Sequence, residues 1–505
     1  MSALDPIALG VLVGRLRAIC DEMGAVLIRS AHSPNIKERR DCSAALFTPE
    51  GELVMQAEHI PVHLGSMPDA VAAILSERHE PGKAWILNDP FKGGTHLPDI
   101  TLITPVFRGA NLAGFAATRA HHADVGGPAP GSMPADSRSL AEEGVVIEPR
   151  LVSGPDELFG LTEGMRNRQQ RLADLRAQWA ANSLGERRFR ELIEREGAAE
   201  ITAGIDEILS YAERRTRARL EEIDDGTWEA RDVLEGGADG SEDIELRVTA
   251  TISGSELELD FSASARQVEG NLNCPLSVTR SASFFCVRVL LDPDAPPCAG
   301  ANRPVSVAVP EGSVLNAKPG AAVAGGNVET SSRVADLVFQ ALSEPCRGPA
   351  QGQGTMNNLT LAGLDEDWTY YETIGGGQGA CPDANGPDAI HVAMSNTLNT
   401  PTEALETELP VRVRELSVRR GSGGAGRHSG GNGIVRVIEA LEPMSYSLIT
   451  ERRRHAPAGR EGGEDGSPGK NFVNGREVPA KARGTLEVGD ELRLETPGGG
   501  GCGAT

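Results

Sequence analysis

Four short polar segments in the first quarter of the chain carry side chains of the kind that divalent metals take as ligands. They contribute six residues: Asp41, His96, Asp99, His121, His122 and Asp124. Of the ten histidines of the chain, four lie at positions 63, 96, 121 and 122. Imidazole nitrogens and carboxylate oxygens form the mixed ligand set that Zn, Mn or Fe(II) accepts, and an incomplete set leaves a position for water or substrate. We predict a divalent-metal site with the ligands Asp41, His96, Asp99 and His121.

Each predicted ligand lies where an apolar run of the sequence meets a turn. Asp41 comes directly before the apolar run of RRDCSAALF, and His96 and Asp99 lie between the two apolar runs of WILNDPFKGGTHLPDITLITPVF. His121 ends a third run, in GFAATRAHHADVGG. Because binding residues are often carried by loops on a rigid scaffold, we expect these segments to converge. Taken singly, each residue also fits a hydrogen-bonded histidine or a turn-capping aspartate.

Composition limits the class of protein. The 505 residues are enough for two or three closely packed domains, and 39% hydrophobic with 24% charged residues is typical of an ordinary soluble protein. The net charge of −23 argues against a nucleic-acid partner, which requires clustered Lys and Arg. No run of about 18 apolar residues is present, so we expect no membrane span.

The N-terminal residues and the cysteines favour a cytoplasmic protein. The N-terminus MSALDPIALGVLVGRL lacks the basic region of a secretory signal. The eight cysteines form no CxxC pair, which is typical of free thiols in a reducing compartment. Cys42, beside Asp41, could be a thiolate ligand or nucleophile, but a small buried apolar side chain is the commoner role.

The predicted fold class is α+β, in which a mixed α/β metal-site region with a helical segment precedes a β-rich C-terminal region with Gly-rich loops. Apolar spacing after Asp5 predicts a first helix over residues 6–30. The predicted divisions are an α/β metal-site domain (1–164), a helical segment (165–230), a β-rich α/β domain (231–345) and a β-rich Gly-loop domain (346–505). We expect the Gly-rich stretches to be ordered loops, with flexible linkers as the alternative.

Two motifs are absent from the sequence. No GxxxxGK[ST] phosphate loop occurs, so the chain has no nucleotide site of that type. No GxSxG elbow occurs either, and covalent serine catalysis has no local support.

Seven ordered blocks of the sequence resemble the hydantoinase B/oxoprolinase family, which includes the B component of N-methylhydantoinases and the C-terminal half of 5-oxoprolinases. The blocks are RSAHSPNIKERRDCSAALF, IPVHLGSMPDAV, ILNDPFKGGTHLPDITLITPVF, RAHHADVGG, NCPLSVTRSASFF, GNVETSSRVADLV and TPTEALETELPVRV. The resemblance runs from near the N-terminus to the Gly-rich tail and therefore covers essentially the whole chain.

The resemblance implies one component of an ATP-dependent hydrolase that opens a cyclic amide or imide such as hydantoin, 5-oxoproline or a lactam. In such systems ATP and Mg²⁺ are bound by a hydantoinase A-type partner, so we expect a hetero-oligomer. The missing phosphate loop is consistent with that division of labour. Two alternatives stay open: a component of an ATP-dependent carboxylase similar to those acting on acetone or acetophenone, and a non-catalytic scaffold for the A-type partner.

The resemblance also implies roles for individual residues. By position, the metal ligands of the family fall on Asp41, His96, Asp99 and His121. His122 and Asp124 would be catalytic: His122 could hydrogen-bond the substrate or a phosphate, and Asp124 could orient the attacking water or a histidine. Adjacent residues on a strand point to opposite faces, so which of the two neighbouring histidines reaches the ion is left open.

Overall fold

The fold has a mixed α/β N-terminal region and a β-rich C-terminal region, as predicted. The computed structural model describes residues 5–63, 65–236, 242–364 and 367–504. Among the helices of these residues, none combines the length and the apolar character needed to cross a membrane. The domain boundaries given above stay predictions.

A six-stranded antiparallel sheet forms the base of the N-terminal region. Its strands are β1 (Cys42–Phe47), β2 (Leu53–Glu58), β3 (Ala84–Leu87), β4 (Asp99–Arg108), β5 (Asn111–His121) and β6 (Arg150–Val152). Their order across the sheet is β2-β1-β5-β4-β3-β6. Both β1 and β3 are buried at every position, which explains why their sequences are continuous apolar runs and do not alternate.

Helices cover this sheet. They are α1 (Pro6–Ser30), α2 (Pro34–Lys37), α3 (Met67–Ala72), α4 (Leu158–Leu161), α5 (Arg168–Glu196) and α6 (Ala198–Glu221). Helix α1 has the bounds predicted from its apolar spacing, with a proline in its first turn, where the missing N–H needs no partner. The side chain of Asp5 makes no capping hydrogen bond. The predicted helical segment forms α5 and α6, and α5 packs against α1, β4 and β5.

The middle of the chain forms a second sheet. Its strands are β7 (Gly226–Leu234), β8 (Ile244–Ser253), β9 (Glu256–Asp260) and β10 (Val305–Ala308), in the order β10-β9-β8-β7. The helices of this part are α7 (Leu276–Leu291), α8 (Ala299–Asn302), α9 (Ser331–Ala341) and α10 (Ser343–Cys346). Helix α9 packs on β7 and β8, and a short π-helix, Gly326–Thr330, leads into it.

Two further sheets form the C-terminal region. The elements in chain order are β11 (Asn358–Gly363), β12 (Thr369–Glu372), α11 (Thr402–Glu408), β13 (Val411–Arg419), β14 (Gly433–Ala440), β15 (Met444–Ile449), β16 (Lys470–Val473), β17 (Arg476–Val478), β18 (Lys481–Leu486) and β19 (Glu491–Glu495). One sheet has the order β12-β11-β15-β18, and the other has the order β13-β14-β19-β16-β17. Leucine, isoleucine and tyrosine side chains from both sheets share one core.

The Gly-rich stretches between these strands are ordered and packed against one another. Their backbones exchange hydrogen bonds, including Gly377 N to Pro497 O at 3.0 Å and Gly424 N to Gly499 O at 2.9 Å. A Cβ atom on Gly430 would lie 1.9 Å from the carbonyl oxygen of Gly499. Glycine is required here because the neighbouring backbone occupies the space of a side chain. The prediction of ordered loops is confirmed.

Gly430→Ala tests this close approach. The added methyl group must displace the backbone at Gly499, so we expect a loss of about 1–3 kcal/mol in the free energy of unfolding, measured by chemical denaturation. Gly154→Ala is the matched control, because a Cβ there meets nothing within 4 Å. Equal stability of the two variants would contradict the packing described here.

Candidate metal centre

Strand pairing brings the predicted ligands to one edge of the N-terminal sheet. Asp99, the first residue of β4, pairs with His121, the last residue of β5. The neighbouring strand β1 starts at Cys42, and the carbonyl oxygen of Asp41 accepts a hydrogen bond from His121 N at 3.1 Å. His96 lies three residues before β4, in the loop that leads into it. Three strand ends and one loop therefore meet at the same place.

His96, Asp99 and His121 form a compact cluster of buried ligand atoms. His96 Nε2 lies 3.1 Å from His121 Nδ1 and 3.4 Å from Asp99 Oδ2, and His121 Nδ1 lies 3.3 Å from Asp99 Oδ1. The ligand atoms of the three residues all lie within 4.8 Å of one another. Atoms that share an ion at about 2.0–2.2 Å in tetrahedral geometry are about 3–4 Å apart, so the spacing fits a divalent cation.

Buried atoms without hydrogen bonds support the same fit. Within the described part of the chain, Asp99 Oδ1 is fully buried and accepts no hydrogen bond. His63 Nε2, which lies 3.5 Å from Asp99 Oδ2, is also fully buried and has no hydrogen-bond partner among the described residues. Leaving a buried polar atom unpaired costs about 1–3 kcal/mol, more for a charged group. A cation shared by these atoms would remove that cost.

The protonation states at the cluster are those that metal ligands need. Burial opposes ionisation of Asp99, but the neighbouring His96, His63 and His121 rings outweigh it and hold the pKa of Asp99 well below its usual range. Burial lowers the pKa of His121 to about 4. At neutral pH the carboxylate is therefore charged and the His121 ring is neutral, so both offer lone pairs to a cation.

Asp41 lies beside this cluster, in the wall of the same cavity. Burial, together with the charge of Asp99, raises the pKa of Asp41 to about 7, and Arg39 opposes the increase. Asn35 Nδ2 lies 3.4 Å from Asp41 Oδ2 and donates to the carbonyl oxygen of His121 at 2.9 Å. A bound cation would favour the charged form of Asp41. The structure thus brings three predicted ligands together and places the fourth next to them.

His63 belongs to the site, although the sequence pattern assigned it no role. It lies in the 3₁₀ turn Pro61–His63, with Nδ1 2.9 Å from the hydroxyl oxygen of Ser43 and Nε2 facing Asp99. Burial lowers the pKa of His63, so the ring is neutral at pH 7. The one signal in the sequence was its nearness along the chain to the other histidines.

His122 lies on the other face of the sheet from His121. Its Nε2 is 2.9 Å from Gln178 Oε1 of helix α5, whose amide nitrogen donates to the carbonyl oxygen of Ile100 at 3.0 Å. The pleat of β5 therefore turns His121 toward the cluster and His122 toward the covering helix. His122 is not among the residues that line the cavity.

Asp124 lies away from the cavity as well and holds a loop together. Its carboxylate accepts hydrogen bonds from Gly126 N at 2.8 Å and Gly131 N at 2.9 Å. It also accepts from Arg166 N and Arg166 Nη1, both at 3.0 Å. These contacts use both carboxylate oxygens and favour a structural role for Asp124.

The cavity beside the cluster is lined from both halves of the chain. Its polar lining consists of Asp41, His63, Asp99, His121, Asn327, Tyr371, Thr373, Ser395 and Thr397. The ring of Tyr371 stacks on the His121 ring, with centroids 4.5 Å apart and an angle of 14°. The cavity volume of about 20 Å³ is enough for about one water molecule. A ring-sized ligand therefore requires movement of a lining segment.

The π-helix Gly326–Thr330 brings Asn327 to this cavity. A Cβ on Gly326 would lie 1.8 Å from the carbonyl oxygen of Asn273, so only glycine allows the turn to approach this closely. Asn327 Oδ1 is fully buried and accepts no hydrogen bond from the described residues. Short π-helical turns are frequent at functional sites, and this one brings a residue with an unpaired amide oxygen to the cavity lining.

Asp124→Ala separates a structural role from a catalytic one. Removal of the carboxylate leaves Arg166 and two backbone N–H groups without their acceptor, so we expect about 2–4 kcal/mol less stability in chemical denaturation. Because Asp124 contacts none of the cluster residues, metal content measured by mass spectrometry should stay at the wild-type level. Metal loss at unchanged stability would show that Asp124 acts at the metal site.

Comparisons with known proteins cover the whole described chain and point to one family. The family model of hydantoinase B/oxoprolinase matches residues 5–505. The 5-oxoprolinase 1 of Arabidopsis thaliana is 39% identical over 99% of this chain and 42% of its own length. The B component of a putative D-/L-hydantoinase from a Pseudomonas species is 28% identical over 100% of this chain and 90% of its own length. The chain thus spans less than half of the 5-oxoprolinase and nearly all of the hydantoinase component.

Solved structures share the fold. The ATP-dependent caprolactamase of Pseudomonas jessenii superposes with a TM-score of 0.92 at 27% identity, covering 100% of this chain and 92% of that chain. An acetone carboxylase in its nucleotide-free form superposes with a TM-score of 0.88 at 18% identity, covering 99% and 76%, and shows the fold alone. Because the family model and the relatives cover the chain from end to end, it belongs to the hydantoinase B/oxoprolinase family.

Proposed function

We propose that this chain is the metal-binding B-type component of an ATP-dependent hydrolase that opens cyclic amides. The observation that carries the proposal is the buried cluster of His96, Asp99 and His121, in which Asp99 and His121 line a cavity. Family membership and the similarity to an ATP-dependent caprolactamase, a lactam-opening enzyme by name, support the reaction class.

In this proposal the cation is held by Asp41, His96, Asp99 and His121, with His63 as a close neighbour. The nitrogen and oxygen donors suit Zn, Mn or Fe(II). When bound, such a cation supplies Lewis acidity, which activates water at neutral pH and polarises a carbonyl group. Cyclic amides need this help because resonance stabilises their C–N bond.

The residues of this chain then orient the reactants. Tyr371 fixes the plane of the His121 ring by stacking on it. Asn327 offers its unpaired amide oxygen as an acceptor for the N–H group of a cyclic amide. Apolar side chains complete the lining, among them Ile60 and Met356, and limit the water that reaches the site.

ATP would be handled by an A-type partner, either as a separate chain of a hetero-oligomer or as a fused segment. The absence of a GxxxxGK[ST] motif in the sequence supports this division. The partner would bind ATP with Mg²⁺, transfer the γ-phosphoryl group to the amide oxygen and release ADP. The cavity of this chain would direct water to the activated carbon, and loss of inorganic phosphate with cleavage of the C–N bond would give the ring-opened amino acid. All eight cysteines are free, which supports a cytoplasmic location.

A carboxylase is the second candidate, because the acetone carboxylase has the same fold. The cavity would then hold an enolate and bicarbonate in place of a cyclic amide and water. Incorporation of isotopically labelled bicarbonate into the product distinguishes the two reactions. We expect none with a cyclic amide as substrate.

Removal of a ligand tests the metal site. In the complex with its ATP-binding partner, His96→Ala should reduce bound metal from about one equivalent to background and slow ring opening more than about 100-fold, since loss of even an outer partner of a metal ligand costs about 10–100-fold. Metal content is measured by mass spectrometry, and ring opening by product formation with ATP.

His32→Ala is the control for this experiment, because His32 is exposed and lies outside the cavity lining. It should keep both metal and activity. Full activity of His96→Ala with its metal gone would refute the assignment.

A further inference from the structure

A buried arginine stands behind one wall of the cavity. Arg39 has no exposed surface, and its Nη2 donates to Thr373 O at 3.1 Å, Thr373 Oγ1 at 2.6 Å and Thr397 Oγ1 at 2.9 Å. Its Nε donates to Asn35 Oδ1 at 3.2 Å. Nη1 is buried and makes no hydrogen bond with any described residue. The guanidinium therefore holds two cavity-lining hydroxyl groups and keeps one donor group unused.

The positive charge of Arg39 is only partly balanced. Its nearest paired carboxylate is Glu372, 3.9 Å from Nη1. Glu372 also pairs with Arg436, whose Nε and Nη2 lie 3.3 and 3.4 Å away. Asp41 is close enough for the charge of Arg39 to lower its pKa, and it lines the same cavity. Two buried arginines, Arg39 and Arg436, therefore share the carboxylate of Glu372, and a buried charge is costly unless it has a close partner.

The hydroxyl groups on this wall form one hydrogen-bonded row with His391. Thr373 Oγ1 lies 2.7 Å from Thr397 Oγ1, Thr397 Oγ1 lies 3.2 Å from His391 Nε2, and His391 Nδ1 lies 3.0 Å from Ser395 Oγ. Burial, with the nearby charge of Arg39, lowers the pKa of His391 to about 3, so its ring is neutral and carries one N–H. Arginine only donates, so the threonine oxygens accept from it and their hydrogens point elsewhere.

Counting hydrogens along this row shows that one is always left over. The row of Thr373, Thr397, His391 and Ser395 has four hydrogens and three links between its members. When His391 carries its hydrogen on Nε2, Ser395 donates to His391, His391 donates to Thr397, and Thr397 donates to Thr373. The hydroxyl hydrogen of Thr373 is then free. When it carries the hydrogen on Nδ1, the links reverse and the hydrogen of Ser395 is free. Both Thr373 and Ser395 line the cavity, so either arrangement leaves a donor available to it.

We propose that this wall is an anion subsite that binds an anionic oxygen of the substrate beside the metal cluster. The free hydroxyl hydrogen would donate to that oxygen, and Arg39 would act as a positioning residue that supplies positive charge through Thr373 and Thr397. This inference rests on the proposed function. Two groups of a reacting cyclic amide have the required chemistry: a carboxylate attached to the ring, as in 5-oxoproline, and the phosphoryl group transferred from ATP.

Paired substrates distinguish the two sources. 5-Oxoproline and 2-pyrrolidinone have the same five-membered lactam and differ by the ring carboxylate. The test measures KM and kcat for both with the metal-loaded complex of this chain and its ATP-binding partner, in the wild type and in Thr373→Val. If the subsite binds the ring carboxylate, the variant should raise KM about 10–100-fold for 5-oxoproline alone. If it binds the phosphoryl group, kcat should fall by a similar factor, about 10–100-fold, for both rings.

Three further variants make the result specific. Thr373→Ser keeps the hydroxyl group and should behave like the wild type. Thr397→Val removes the neighbouring hydroxyl group and should have the same effect as Thr373→Val, so it replaces that variant if Thr373→Val folds poorly. Thr369→Val is the matched control, since its buried hydroxyl has no hydrogen bond among the described residues and lies outside the cavity lining. The inference is overturned if KM and kcat of Thr373→Val and Thr397→Val stay within about twofold of the values of Thr369→Val for both rings. It is also overturned if the two variants raise KM equally for both rings.

Direct binding separates this inference from the proposed function. Should the wild-type complex open neither ring, calorimetry with the metal-loaded protein still compares the two lactams and inorganic phosphate. Binding of 5-oxoproline or phosphate, but not 2-pyrrolidinone, with loss of that binding in Thr373→Val, would support the subsite while the hydrolase proposal fails. No binding of either anion would overturn the subsite.

Discussion

The pairing of Asp99 with His121 across strands β4 and β5 is the constraint on which the site depends. Residues directly opposite each other on antiparallel strands project from the same face with Cβ atoms about 4.5–5.5 Å apart, so a carboxylate and an imidazole in this register meet without further adjustment. A slip of one residue would turn every side chain of the strand to the other face. The buried apolar faces of β4 and β5 prevent such a slip, so core packing also secures the geometry of the cluster.

The second constraint is that the cavity needs both halves of the chain. Tyr371 stacks on His121, and its hydroxyl donates to Asn358 Oδ1 at 2.7 Å. Asn358 Nδ2 in turn donates to Glu329 Oε1 of the π-helix at 2.7 Å. Arg39 ties the N-terminal region to the opposite wall. The hydrogen bonds of the Gly-rich loops, such as the pair between Gly376 and Ile390, hold the backbone next to this wall, so these loops are structural supports.

Much of the N-terminal region was predictable from local patterns. The helix Pro6–Ser30 has the bounds that its apolar spacing predicts, because an amphipathic stripe and an N-terminal proline are signals within a single element. The positions of Asp99 and His121 at strand ends, and of His96 in the loop before β4, could also be predicted, since each follows from where an apolar run starts or stops. Their clustering was expected and is found, while the metal itself and the coordination by Asp41 stay predictions.

The remaining parts of the site could not be foreseen from the sequence. His63, Asn327 and Thr373 come from a 3₁₀ turn, a π-helix and a loop after a strand, and no spacing along the chain relates them to the cluster. The different positions of His121 and His122 depend on which face of β5 the covering helix occupies, and the loop contacts of Asp124 depend on the fold around it. Local periodicity specifies elements and their ends, because it acts between residues close in the chain. Contacts between distant segments depend on how several elements pack at once, and the cavity beside the cluster exists only after that packing is complete.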